Sequence, residues 1–217
     1  MLFRSQHFAD FYQGRNVVVL VAEGPKGIAD ATAKAIEELF ATRAHQRVGE
    51  QRIRAWFENL NWGQDQIDAE QADMLAHARL GYTTEVSVDW SRAAGLFVAV
   101  MGRIRGEFPR AGDLTMLGAH SSHSYQTGTN LYFVYDYEIR CSPREEIEVY
   151  HKPLNAIIVE EALRAGGSMV HHHGIGKYRT RWVADEHGSA YWLLTTLKQA
   201  FDPQGVMNAG TIFPLQS

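Results

Sequence analysis

The run from Thr129 to Ile139 constrains this chain most. In NLYFVYDYEI every second residue (Leu131, Phe133, Tyr135, Tyr137) is large and largely apolar, while Tyr132, Val134 and Asp136 point to the other side. Such a strand needs a sheet, and its aromatic side needs a packed layer over it. Asp113 to Ala119 reads as a companion strand, joined to the first by the polar loop SSHSYQTG. Thr83 to Trp90 alternates in the same way, Glu85, Ser87 and Asp89 opposing Val86 and Val88. The β-branched run Val17 to Ala22, bounded by Gly14 and by Gly24-Pro25, is a further strand candidate.

Helical spacing accounts for most of the remainder. Ile28, Ala31, Ala35, Ile36, Leu39 and Phe40 mark a helix to about Arg43, and a second is expected from Ile67 to Arg79. Ser91 is a candidate N-cap for a helix striped by Ala94, Phe97, Val98, Met101 and Ile104. Glu145 to Ala165 reads as a helix stopped by Gly166-Gly167, and a last one runs from about Ser189 to Phe201, ended by Asp202-Pro203. Residues 44–80 otherwise read as an irregular connection carrying Trp56, Phe57 and Trp62. The order predicts an α+β fold, an antiparallel sheet with helices on one face. The compositional seam at Gly166-Gly167 suggests residues 1–165 as one domain and 166–217 as a C-terminal helical tail.

Composition narrows the function classes. The 217 residues carry Lys+Arg 21 against Asp+Glu 25, a net charge of −4 with no basic block, so no nucleic-acid partner is expected. The apolar run Val17 to Ala22 is far too short to span a bilayer. A single cysteine, Cys141, excludes an internal disulfide framework and a cysteine-based zinc cage. The stretch MLFRSQHFADF lacks the apolar core of a secretory signal, and a cytoplasmic location is expected. The oligomeric state is left open, a homo-oligomer included.

Histidine is plentiful, and five of the 10 fall in GAHSSHSY (His120, His123) and MVHHHGIGKYR (His171, His172, His173). If extended, His171 and His173 share one face and His172 takes the other. Gly174 and Gly176 permit close backbone approach to a flat ligand, or a tight bend. Lys177, Arg179 and Arg181 follow closely enough for two of them to face one anion; the alternative is that all are solvated. No carboxylate or cysteine accompanies the triplet at ligand spacing, so no metal site is expected. Tyr132 reads as packing or as an acid/base, and His123 as a turn cap or a ligand. No G-x-G-x-x-G, P-loop, G-x-S-x-G or H-E-x-x-H motif is present.

The block GGSMVHHHGIGKYRTRW, with LKQAFDPQGVMNAGTIFP after it, resembles the C-terminal part of FAD-linked oxidases of the vanillyl-alcohol-oxidase type. Within them it is most similar to the alkylglycerone-phosphate synthase branch. Gly166, Gly167, Ser168, His171 to Gly174, Gly176, Lys177, Arg179 and Trp182 match that branch's block, as do His123, Tyr125, Gly128, Tyr132 and Phe133 upstream, and Thr84-Glu85 through Trp90. The resemblance covers residues 83–214. The glycolate oxidase and D-lactate dehydrogenase branch instead places a histidine seven residues after His123, where Asn130 stands, and a carboxylate where His172 stands.

The resemblance implies a ferredoxin-like sheet and FAD as cofactor, and makes Tyr132, with His171, His172 and His173, catalytic. His123, Lys177 and Arg179 would bind a phosphorylated or lipid-like substrate, and Gly174, Gly176 and Asn208 would lie near the flavin. The branch's reaction exchanges an acyl group on dihydroxyacetone phosphate for a fatty alcohol without net redox change. The branch holds its flavin on a separate N-terminal domain, so a FAD-binding partner subunit is expected here. A flavin-dependent 2-hydroxy-acid dehydrogenase subunit and a non-catalytic binding module are the alternatives.

Overall fold

A computed structural model describes residues 18–47, 49–58 and 63–214. Val17, Trp62 and the side chain of Trp56 lie outside the described residues. The chain divides into two compact units, Met1–Asp68 and Ala69–Ser217, and the Gly166-Gly167 seam falls within the second. No described helix is long and apolar enough to cross a membrane.

In the first unit, helix α1 spans Lys26–Ala41 and α2 spans Glu50–Glu58. Over the described part of the Val17–Ala22 run the expected strand does not form: residues 18–23 have no regular structure, and Val18 is 64% exposed. A β-branched run becomes a strand only when a neighbour completes its backbone hydrogen bonds, and none of the described residues does so here. Helix α3, Gln64–Ala76, follows.

The second unit is built on three antiparallel strands: β1 (Arg79–Asp89), β2 (Leu114–His120) and β3 (Gly128–Glu138), in the order β1-β3-β2. The aromatic strand is therefore central. Helix α4 (Trp90–Glu107) follows β1, and a π-helical turn (Ile147–His151) leads into α5 (Lys152–Arg164). Asp89, and not Ser91, stands at the N-cap of α4. The odd-numbered residues Leu131, Phe133, Tyr135 and Tyr137 join Val86 and Val88 in a core with Leu96, Val100 and Ile104 of α4 and Leu154 and Ile158 of α5. Phe133 stacks on Phe97 at 6.4 Å, and Tyr137 on Tyr150 at 4.4 Å. Truncating a ring buried in this way costs about 3–5 kcal/mol. The α+β fold with helices on one face is thus present.

With one face so occupied, the register fixes what the other carries. Glu85 and His120 both pair with Tyr132, and Ser87 pairs with Asn130. Beyond α5 the chain is pinned to this region by its glycines. Gly166, at φ +67°, ends the helix, and Gly167 passes so close to β1 that a Cβ there would lie 2.3 Å from the Ser87 carbonyl oxygen. That approach lets Ser87 and Ser168 exchange backbone hydrogen bonds of 3.0 and 2.9 Å. The short helix α6 (Val183–His187) and α7 (Tyr191–Phe201) complete the chain, with Met169, Trp182 and Val183 packed on Val159 of α5.

Candidate active site

The histidine triplet is not extended. Residues 171–173 form a bend, which turns the adjacent His171 and His172 towards the same carboxylate. That carboxylate is Glu85, fully buried in the middle of β1. Its Oε2 accepts the backbone N–H of His171 (2.9 Å) and of His172 (3.1 Å). Its Oε1 lies 2.9 and 3.3 Å from their Nδ1 atoms and accepts from the Asn130 side-chain amide at 3.2 Å. A buried charge survives only when its lone pairs are filled, and here the loop itself fills them. The loop is held further by Glu186, which accepts from the Ser168 hydroxyl (2.5 Å) and the Met169 N–H (2.9 Å).

His173 takes a different partner. Its Nε2 lies 3.0 Å from the Tyr132 hydroxyl, which also accepts a 3.2 Å hydrogen bond from Thr83 Oγ1. With Thr83 donating, the phenol proton is directed at His173. Burial holds the His173 imidazole below its usual range, partly offset by Glu85, so the ring is a neutral acceptor at neutral pH. Tyr132 stacks with two imidazoles, that of His120 at 4.9 Å and that of His172 at 5.8 Å. Burial also lowers His120.

His123 joins the group, its ring 5.0 Å from His171 and 5.2 Å from His172, with Nδ1 hydrogen-bonded to Ser122 Oγ at 3.0 Å. His123, His171 and His172 each bring a nitrogen within 4.8 Å of the others, a spacing a metal ion requires. In this chain those rings are engaged with Ser122, Tyr125 and Glu85.

The cations do not converge. Arg179 is buried and donates to the backbone carbonyls of Glu85 and Met169 and to Asn155 Oδ1. It therefore ties the loop to β1 and α5, where the sequence suggests an anion ligand. Arg181 lies over the Trp182 ring at 3.9 Å, and Lys177 is exposed. Gly174 (φ +71°) and Gly176 (φ +57°) make left-handed bends with open space where a side chain would stand. Asn208 sits in the same backbone region (φ +48°), in a loop organised by Asp202, which accepts the N–H groups of Val206 and Met207. The tail returns to the histidine loop through Thr180 Oγ1, which donates to the Gly176 and Gly210 carbonyls.

Glu85, Asn130 and Tyr125 are the site residues that sequence patterning does not single out. In TTEVSVD the glutamate is one polar residue of an alternating strand, and the register sets it beside Tyr132.

Comparison with known proteins places the chain. The family model for FAD linked oxidases, C-terminal domain, matches residues 13–212. The chain belongs to this family. An uncharacterized FAD-linked oxidoreductase, YgcU of Escherichia coli K12, is 54% identical over 214 residues, which is 98% of this chain and 44% of the relative. Alkyldihydroxyacetonephosphate synthase of Caenorhabditis elegans is 26% identical over 144 residues, 65% of this chain and 24% of that protein. A solved structure of alkyldihydroxyacetonephosphate synthase superposes with a TM-score of 0.51 at 18% identity, covering 90% of this chain and 31% of that one, a likeness of fold alone. The chain spans less than half the length of these relatives. As an FAD-linked oxidase C-terminal domain, it sets Tyr132 and the three histidines together on the sheet face opposite its core.

Proposed function

We propose that this domain supplies the proton-moving and substrate-orienting side chains of an FAD-dependent active site. The reaction is an exchange of the alkyldihydroxyacetonephosphate synthase kind, acyl for alkyl on dihydroxyacetone phosphate. The observation that carries this reading is the Tyr132–His173 hydrogen bond of 3.0 Å beside the bend of imidazoles. Phenol and neutral imidazole within hydrogen-bond reach form an acid/base pair, and such pairs contribute about 10²–10⁴ in rate. Tyr132 takes the proton from the substrate carbon that exchanges its oxygen substituent, passes its own to His173, and returns it when the new bond is made. His123 and the triplet orient the phosphorylated ketone.

FAD, when bound, supplies the electron-accepting ring at that carbon. The open left-handed bends at Gly174 and Gly176, with Asn208 close in backbone conformation, fit the edge of a flat ring, and we assign these residues to it. The pyrophosphate end is assigned to a separate FAD-binding half.

The test supplies the flavin-loaded protein with an acylated dihydroxyacetone phosphate and labelled hexadecanol. Label entering the ketone without lasting reduction of flavin supports the reading. Anaerobic bleaching of the flavin by D-lactate or glycolate, with no incorporation, would replace it with a 2-hydroxy-acid dehydrogenase. Ligand binding without either reaction would leave a binding module.

A further inference from the structure

The exchange reaction also needs a proton transfer that the Tyr132–His173 pair does not account for. When an alcohol becomes an ether, its oxygen must lose a proton as the C–O bond forms. A second hydroxyl–imidazole pair lies on the other side of the triplet. The Tyr125 hydroxyl is 2.6 Å from His171 Nε2, and Nδ1 of the same ring is 2.9 Å from Oε1 of the fully buried Glu85. Carboxylate, imidazole and hydroxyl thus stand in series, the arrangement by which a base is oriented and a hydroxyl is activated.

The carboxylate fixes the direction. An ionised carboxylate only accepts. Of the two Nδ1 atoms that face its Oε1, that of His171 is the nearer (2.9 against 3.3 Å) and lies 3.1 Å from that of His172, so the ring proton is placed on His171 Nδ1 and Nε2 is left as the acceptor facing Tyr125. Glu85 is also immobilised by the backbone N–H groups of His171 and His172 and by Asn130. The outer end of the series is open. Tyr125 is 52% exposed and, with His171, lines a cleft of about 370 Å³ whose other walls include Ser87, Asp89, Thr129 and Ser168. That lining is hydroxyl-rich and suited to receiving a hydroxyl group.

We infer that Tyr125 is a second catalytic residue, deprotonating the hydroxyl of the incoming alcohol, with His171 as the base behind it and Glu85 as the positioning residue. The alcohol proton passes to the Tyr125 oxygen while the Tyr125 proton passes to His171 Nε2. The alcohol oxygen bonds to the substrate carbon, and the acyl group has departed as the carboxylate. This inference rests on the exchange reading proposed above.

Two measurements test it. In the full-length chain, ¹⁵N spectra of the histidine rings report the tautomer of His171. The Nδ1–H form is expected, and Glu85→Gln should shift it towards a mixture. An Nε2–H tautomer in the unmodified chain overturns the relay, since Nε2 then has no lone pair for the phenol proton. In the flavin-loaded protein, Tyr125→Phe should slow alcohol incorporation by about 10²-fold or more, at least tenfold more than it slows fatty-acid release. Equal effects on the two steps, or none, overturn the assignment. Absence of any exchange in the unmodified protein would refute the proposed reaction instead, and the tautomer measurement would still decide the relay.

Discussion

Glu85 accepts the backbone N–H of His171 at 2.9 Å from a position in the sheet register directly opposite Tyr132. One buried carboxylate therefore links the sheet on which Tyr132 lies to the loop that carries the three histidines. Glu85→Gln keeps the shape but replaces one accepting oxygen by a donor that faces other donors. We expect a loss of about 2–3 kcal/mol in unfolding by urea, and faster hydrogen exchange at the His171 and His172 amides. Unchanged stability and exchange would mean that the carboxylate does not organise the loop.

Gly167 and Gly174 should respond differently to alanine. A Cβ at Gly167 meets the backbone of Ser87 at 2.3 Å and of Ala162 at 3.2 Å, neither of which moves cheaply. Gly167→Ala should cost about 1–3 kcal/mol and expose the Ser87 amide, whose partner is Ser168, to exchange. Gly174→Ala meets open space and carries only the left-handed backbone penalty of about 1–2 kcal/mol, with Ser87 still protected. Equal loss of Ser87 protection in both variants would contradict this.

Two buried groups give opposite pH dependences. Burial pushes His151, hydrogen-bonded to Tyr135 at 3.0 Å, down to about 4, with Arg179 adding to the effect. Its folded value lies below the unfolded one, so its contribution is present above about pH 6.5 and is lost as pH falls towards 4. Burial pushes Asp136 up to about 6, only partly countered by Arg79. Its contribution is present at low pH and is lost as pH rises from about 4 to 6. The two largely cancel in this window. Compared with the unmodified chain, Asp136→Asn should lose up to about 3 kcal/mol more on going from pH 6.5 to 4, and His151→Gln should lose less or gain. Parallel curves for all three proteins would refute the assignment.

The sheet and its helices are legible because their patterns are local. Alternation along Thr129–Ile139 and the stripe from Ala94 to Ile104 need no knowledge of partners. The Val17–Ala22 run carries an equally strong strand pattern, but its described residues, 18–22, form none, because pairing belongs to the neighbour and is not written in the run. In the site, Tyr132 and the triplet are recognisable as residues, but their geometry is not. A bend replaces the extended backbone at His171–His173, so adjacent side chains converge on Glu85 where alternation predicts divergence. The spacing leaves Arg179 open as an anion ligand or a solvated cation, and the resemblance makes it a substrate ligand. Its burial against three acceptors from β1, α5 and the loop depends on tertiary contacts that spacing does not record.

The Tyr132–His173 pair is tested most directly by the exchange rate of Tyr132→Phe in the flavin-loaded protein, measured as incorporation of labelled hexadecanol. The variant keeps the ring that stacks with His120 and His172 and removes the hydroxyl that faces His173 and accepts from Thr83. A fall of about 10²–10⁴-fold with substrate affinity nearly unchanged is expected. Incorporation within twofold of the unmodified protein would contradict the assignment of Tyr132 as the acid/base.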